Sequence, residues 1–262
     1  MVNQDEVRTL STVERTCDVI EALQKLEGAT VSEVADYLDM SMGGVYNHLA
    51  TLRKRNYVVK QRDEYRLSLQ FFNQGMYARN QRLLYTTGKE ETRRLAQKTG
   101  EYAHLMAEEF GRGIYIYKSK GENAISEEYE QRKLEYPDYL HLSSTGKAVL
   151  AWLPRERVEV IIDCHGLPQA NENTITTKED LFSELETIRE RGYALNDQEE
   201  IQGTRAIGAP IKTDDRVYGA VSISGPVSRL NESKIDKYAE KVLQVANVIS
   251  VNISTRATTI DF

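Results

Sequence analysis

The stretch from Thr30 to Leu67 leaves this chain little choice of local fold. Thr30 and Glu33 have the spacing of a capping box, in which hydroxyl and carboxylate satisfy each other's backbone amides, so a helix starts there. Val31, Val34, Ala35 and Leu38 give that helix one apolar face. Asp39-Met40 is a short break, and Ser41 can cap a second helix. In the second helix Val45, Leu49 and Leu52 share a face, at i, i+4 and i+7. Met42, Tyr46, Asn47 and Thr51 occupy the other face, and Arg53-Lys54-Arg55 closes the helix. Two short helices with inward apolar faces, the second polar outside, make a helix-turn-helix. Asn56 tolerates the left-handed conformation that ends a helix. Beyond it, Tyr57-Val58-Val59-Lys60 and Tyr65-Arg66-Leu67 predict two strands around Gln61-Arg62-Asp63-Glu64, the hairpin of a wing.

Charge decides what such a module touches. The chain's formal net charge of −6 argues against indiscriminate nucleic-acid binding. Between Ser41 and Arg66, however, six Lys/Arg stand against two acids (6 − 2 = +4). That local excess falls where the helix end and wing would face phosphates. The alternative is a solvated charged face. Arg53, Lys54, Lys60 and Arg62 suit phosphate contacts, whereas Tyr46 and Asn47 are candidates for base edges, because Asn pairs well with adenine. Met42 could meet a thymine methyl, and Ser41, Gly43 and Gly44 complete the candidate DNA-binding set.

Elsewhere the pattern alternates between helix and strand. Residues from Met1 to Leu10 are polar and expected to fray. From Ser11 to Glu27-Gly28 a helix carries Val13, Cys17, Ile20 and Leu23 on one face, with Cys17 read as a small buried apolar side chain. Ser68 to Tyr85 lacks proline and carries Leu69, Phe72, Met76, Leu83 and Leu84, which predicts a linker helix packed either on its copy in a dimer or on its own domains. A charged helix follows from Lys89 to Thr99. Tyr102 to Glu108 and Ile114 to Lys118 predict strands around a turn at Phe110-Gly111-Arg112-Gly113. Glu127 to Tyr139 is polar and aromatic, with Pro137 marking a loop. Helices are expected at Ser143 to Trp152, after Pro154, and at Lys178 to Arg191. Strands are expected at Tyr193 to Leu195, Thr204 to Ile211 and Val217 to Ser224, with Asp214-Asp215 turning the last two. A long helix from Lys234 to Ser254 closes the chain. Strands in hairpin order among helices indicate an α+β fold with an antiparallel sheet. The domains read as 1–68, a winged helix-turn-helix; 69–86, a linker helix; and 87–262, an effector-binding and oligomerisation domain.

Several chemistries are disfavoured. No apolar run approaches the ~20 residues of a membrane span, and the N-terminus lacks the apolar core of a signal peptide. Cys17 and Cys164 are too few and too distant for a disulfide framework or zinc motif, so a cytoplasmic protein is expected. His48, His104, His141 and His165 have no metal spacing, and neither metal nor cofactor is expected. His48 reads as a helix residue near the core edge. His141 caps its own helix or touches a ligand. Gly146-Lys147-Ala148 lacks the glycine spacing and hydroxyl of a P-loop. Ser144-Thr145-Gly146-Lys147 fits S-x-x-K, the nucleophile motif of serine acylases, and Lys212-Thr213-Asp214 faintly matches their K-T-G. No S-D-N is present, and the aspartate replaces the glycine that close approach needs. A serine hydrolase using Ser144 and Lys147, or a protein-interaction module on the helix-turn-helix, are the alternatives to a regulator.

Five blocks in order carry a resemblance. Tyr65-Arg66-Leu67, the run from His141 to Ala151, Asn173-Thr174-Ile175-Thr176, Arg189-Glu190-Arg191-Gly192-Tyr193-Ala194 and Ser222-Ile223-Ser224-Gly225-Pro226 together resemble the IclR family of transcriptional regulators over nearly the whole chain. The resemblance implies a winged helix, a linker helix and an effector domain of GAF-like topology. It further implies a homodimer or homotetramer on a palindromic double-stranded operator, controlled as repressor or activator by a small organic effector such as a carboxylate. The family's ligand pocket maps onto Ser144, Thr145, Asn196, Ala206, Ser222 and Ser224. Backbone amides at a helix start attract a carboxylate, and hydroxyls two apart on a strand point the same way. The alternative for Ser222 and Ser224 is a polar sheet face. Asn196 stands where some members carry an acid and Ala206 where some carry a thiol, which makes the pocket less charged. Gly43-Gly44 replaces a small hydroxyl pair, and each glycine weakens the recognition helix by about 1 kcal/mol relative to alanine. The pair either lets the backbone approach DNA or leaves the first turn to order on binding.

Overall fold

The computed structural model describes residues 8–124, 137–214 and 216–260. Residues 1–7, 125–136, 215 and 261–262 lie outside the described residues, and with them most of the polar, aromatic segment expected from Glu127 and half of the turn expected at Asp214-Asp215. The chain divides into two compact units, Met1–Ala78 and Arg79–Phe262.

In the first unit, helices α1 (Ser11–Lys25), α2 (Val31–Leu38) and α3 (Met42–Lys54) precede the antiparallel hairpin of β1 (Val58–Gln61) and β2 (Glu64–Leu67). The capping box forms as read: Thr30 Oγ1 accepts from the Glu33 amide at 3.3 Å, and the Thr30 amide donates to Glu33 Oε2 at 2.8 Å. Ser41 caps α3 through the Gly44 amide at 3.2 Å. Val19, Leu23, Val34, Val45, Leu49, Leu52, Val58 and Tyr65 are buried together. Each such side chain contributes about 1.5–3 kcal/mol on leaving water. Asn56 takes the left-handed backbone (φ 66°).

Helix α1 corrects the sequence reading. Its inward face is Val19, Ala22 and Leu23; Val13 and Cys17 are exposed. The apolar stripe is one residue out of phase with the packed one, because Thr16, whose hydroxyl lies 2.9 Å from His48 Nδ1, takes the inward position. His48 does sit at the core edge, half-buried.

The single helix expected from Ser68 to Tyr85 is broken. Helix α4 (Gln70–Asn80) has no buried residue, and α5 (Leu83–Thr99) runs through the segment read as a separate charged helix. Arg82, extended at φ −80° and ψ 122°, starts α5. Burial of Leu84, Tyr85, Leu95 and Ala96 fixes where α5 begins, and no side chain at the break announces it.

The second unit is built on a six-stranded antiparallel sheet. Its strands are β3 (Tyr102–Glu109), β4 (Arg112–Ser119), β5 (Asp138–Tyr139), β6 (Ala194–Asp197), β7 (Thr204–Lys212) and β8 (Val217–Pro226), in the order β5-β4-β3-β8-β7-β6. The short β5 lies where the sequence suggested only loop, and it pairs with Arg112 and Gly113 of a longer β4. Helix α5 and the C-terminal α9 (Ile235–Ile260) share one core with Leu105, Ile207, Val221 and Ile223. A second core joins α6 (Ser144–Leu150), α7 (Arg155–His165) and α8 (Lys178–Arg191) to Met106, Tyr115 and Ala220. Side chains alternate across each strand, so both sheet faces are apolar over most of their area. The fold is α+β, and the polar exceptions on the α6 side mark the site.

Candidate nucleic-acid interface and effector cavity

Helix α3 separates its faces as amphipathicity requires. Val45 and Leu49 are fully buried, while Met42 and Tyr46 are 58% and 55% exposed and Asn47, Arg53 and Lys54 are exposed. Met42 and Tyr46, left in water on one helix face beside basic groups, offer a surface that a nucleic acid could cover. Gly43 has nothing within 4 Å of where a Cβ would stand, so packing does not demand this glycine. Gly44 is tighter, with Ser41 Oγ at 3.1 Å from a hypothetical Cβ. In the hairpin, Lys60 stands opposite Tyr65 with its ammonium 5.3 Å from the ring, and Arg62 (φ 58°) forms the turn. Arg66, by contrast, is drawn to Glu64 at 2.8 Å. The exposed basic set is therefore Arg53, Lys54, Arg55, Lys60 and Arg62, with Ser41 and Gly44 occupied in building the helix start.

In the second unit, strand register brings the mapped pocket residues into two rows. Asn196, Ala206, Ser224 and Tyr102 lie side by side across β6, β7, β8 and β3. Gly208, Ser222 and His104 form the next row. Ser144 and Thr145 approach from α6, and a Cβ at Gly208 would stand only 2.6 Å from the Ser144 carbonyl oxygen. Glycine there lets helix and sheet close on each other. Between them lies a cavity of ≈ 20 Å³ lined by His104, Tyr115, Ser143, Ser144, Asn196, Glu200, Ile201, Thr204, Ala206, Ser222 and Ser224. That volume holds about one water molecule.

Five of the six residues mapped from sequence line this cavity. Thr145 stands behind it, bonded to the Tyr115 hydroxyl at 3.1 Å and lying 3.3 Å from Ser143 Oγ. Asn196 is held by its surroundings: its Nδ2 donates to the Leu142 carbonyl, and its Oδ1 accepts from the Glu199 amide at 3.2 Å. Ser143, not His141, caps α6, through the Gly146 amide at 3.0 Å. His141 is buried with Nε2 3.1 Å from the Pro168 carbonyl, and burial pushes its pKa down. It neither caps the helix nor lines the cavity.

His104, Tyr115, Ser143, Glu200, Ile201 and Thr204 escaped the sequence reading. Only the strand register would have found His104, which lies directly across from Ser222. Its ring packs edge-on against Tyr115 at 5.5 Å between centroids.

Lys147 bears on the hydrolase alternative. The side chain is 1% exposed, and its ammonium contacts both carboxylate oxygens of Glu199 at 2.7 Å and Glu184 at 3.5 Å. Its donors are thus engaged by acids, whereas an acylase would need them at Ser144. Burial raises the Glu199 pKa against the opposing pull of Lys147. This pair fixes the loop 198–203 between β6 and β7. The Glu199 carbonyl also accepts from Thr174 at 2.7 Å, and the Gln198 carbonyl from Asn171 at 2.9 Å. Arg205 adds a bidentate contact to Asp197, with Nη2 at 2.7 and 2.8 Å. Among the described residues there is no group of three or more His, Cys, Asp and Glu that could hold a metal, and no helix long and apolar enough to cross a membrane.

Comparison with known proteins covers both units. The model for the IclR helix-turn-helix domain matches residues 12–62, and that for the bacterial transcriptional regulator IclR C-terminal domain matches residues 77–251. A Halobacterium salinarum protein named as a probable HTH-type transcriptional regulator, ArcR, is 37% identical over 97% of each chain. The Escherichia coli HTH-type transcriptional regulator KdgR is 28% identical, covering 94% of this chain and 93% of its own. The Thermotoga maritima IclR crystal structure superposes with a TM-score of 0.70 at 25% identity, over 94% of this chain and 99% of that one. A Microbacterium hydrocarbonoxydans IclR homolog, solved with 4-hydroxybenzoate, shares the fold at a TM-score of 0.77 and 17% identity, over 93% and 99% of the two chains.

Proposed function

The chain belongs to the IclR family, as a helix-turn-helix transcriptional regulator with a C-terminal effector-binding domain, and from that premise we propose that a small organic effector held in the α6–sheet cavity controls its affinity for a palindromic operator. Its action as repressor or activator would serve genes of a catabolic pathway in the cytoplasm, as a homodimer or homotetramer. The observation that carries this reading is the cavity between α6 and the sheet, where Ser222 and Ser224 share one strand face with His104 and stand toward Ser144. The effector acts only through differential affinity: it must bind one arrangement of the protein better than another, or it shifts nothing. On the DNA side, Tyr46 and Asn47 read bases while Arg53, Lys54, Lys60 and Arg62 hold phosphates. The enzyme alternative is set aside, because the relatives are named regulators and Lys147 is engaged by Glu199.

The test is a mobility shift of the full-length protein on the DNA upstream of its own gene, across a salt series with unrelated competitor DNA. Saturable binding that outlasts competitor and weakens steeply with salt is expected. Binding that competitor abolishes at every salt concentration would overturn sequence-specific regulation from this site.

A further inference from the structure

The second unit also holds a groove far larger than the α6–sheet cavity. Strands β3 and β8 pair only as far as Met106 and Ala220, although β3 continues to Glu109 and β8 begins at Val217. Gly219 lies next to that last pair, where a Cβ would collide with the Met106 carbonyl. Beyond it, residues 107–109 and 217–218 form no ladder with each other, and residues 81–84 at the start of α5 close a third side. The space between them measures ≈ 540 Å³. Small-molecule sites run from about 300 to 1,000 Å³. The groove shares no residue with the α6–sheet cavity.

Its lining sorts by chemistry. Leu84 and Ala107 are buried and give it an apolar floor, with Val217 half-buried beside them. Both acids of the rim are engaged: Glu108 by Arg157 at 3.1 Å and by the Gly111 amide at 2.7 Å, and Glu109 by Arg82. A cationic ligand would have to displace one of those arginines. Arg216 differs from them. It is exposed, its guanidinium lies 4.3 Å from the centre of the Tyr218 ring, and among the described residues it makes no ion pair. A guanidinium over a ring keeps its fork of N–H donors for a carboxylate, and such charge-assisted pairs are the strong ones. We propose that this groove is a second ligand site, for a small organic carboxylate: Arg216 takes the carboxylate, and the apolar body lies against Leu84, Ala107 and Val217. The proposal does not depend on the reading of the α6–sheet cavity.

Three probes isolate charge on one ring: benzoate, benzyl alcohol and benzylamine are anionic, neutral and cationic at neutral pH. Each is titrated calorimetrically into the full chain at matched ionic strength. Benzoate should bind saturably, and about tenfold more tightly than either of the others. Arg216→Gln should lower benzoate affinity about tenfold, to that of benzyl alcohol, while Arg216→Lys retains part of the preference. Both variants should keep the wild-type thermal midpoint, since the side chain is exposed, which separates lost binding from lost folding. Ser222→Ala, on the wall of the other cavity, should leave benzoate affinity unchanged. A loss confined to Ser222→Ala would place the ligand in the α6–sheet cavity and overturn the second site. Unchanged benzoate affinity in Arg216→Gln would overturn it as well, as would equal or tighter binding of benzyl alcohol or benzylamine, or no saturable binding of benzoate.

Discussion

Lys147 and Glu199 show how little of a site depends on the residues that touch a ligand. With the lysine 1% and the glutamate side chain 11% exposed, each is the other's compensation for leaving water. Removing one leaves a buried charge alone, which typically costs about 3–5 kcal/mol, whereas replacing both by apolar groups of similar volume is often near neutral. Lys147→Met should therefore lower the unfolding free energy by that amount in chemical denaturation, and Lys147→Met with Glu199→Leu should recover most of it. Equal losses in single and double variants would mean that packing, not charge compensation, sets the cost. Two residues upstream of Glu199 the sign is reversed. The hydrogen bond from Arg205 holds the Asp197 carboxyl below the usual range, ahead of the raising effect of partial burial. A carboxylate so lowered adds stability above its unfolded pKa of about 3.9 and loses it as pH falls through the folded value. Asp197→Asn should flatten that acid limb in a pH series of melting curves, modestly, because the carboxylate is 42% exposed and water screens it. None of this network was legible in the sequence: Lys147 read as part of a motif, and Glu199 stands 52 residues away.

At the scale of elements, legibility followed the range of the deciding interaction. The α2 capping box, the Ser41 cap and the left-handed Asn56 are settled within four residues, and each formed as the sequence predicted. The phase of α1 and the break between α4 and α5 depend on partners far along the chain, and both were misread. Five cavity residues could be placed through a family resemblance, but His104, Tyr115 and Glu200 come into position only through strand register and a loop. Helix α3 offers the corresponding test. Gly43 has open space around its missing Cβ and an unremarkable φ, so Gly43→Ala should stabilise α3 by about 0.5–1 kcal/mol. If the glycine serves close approach to DNA, the same variant should bind operator more weakly despite its higher melting point. Unchanged or improved affinity would show that the first turn simply tolerates glycine.

At the scale of the whole molecule, a chain of net charge −6 approaches a polyanion with a basic excess of +4 between Ser41 and Arg66. On the proposed reading, the acidic remainder of the chain would repel DNA while the basic stretch of α3 and the wing would attract it, which would favour one orientation of encounter. Lys60→Ala should then weaken operator and competitor DNA alike and reduce the slope of log K against log salt by about 1. Asn47→Ala should keep the slope and lose the preference for operator. Coupling between the units imposes a stricter requirement. Whatever factor a ligand in the cavity imposes on operator affinity, saturating operator must impose on ligand affinity, since the two belong to one thermodynamic cycle. Titrating a small organic probe that alters operator binding into the free protein and into its operator complex measures that factor directly. A tenfold weakening of DNA by the probe requires a tenfold higher probe Kd in the complex, about 1.4 kcal/mol of coupling. Should the probe bind the free and operator-bound protein equally while still altering DNA affinity, its action would have to arise at a second site, and the α6–sheet cavity would lose its place as the control point.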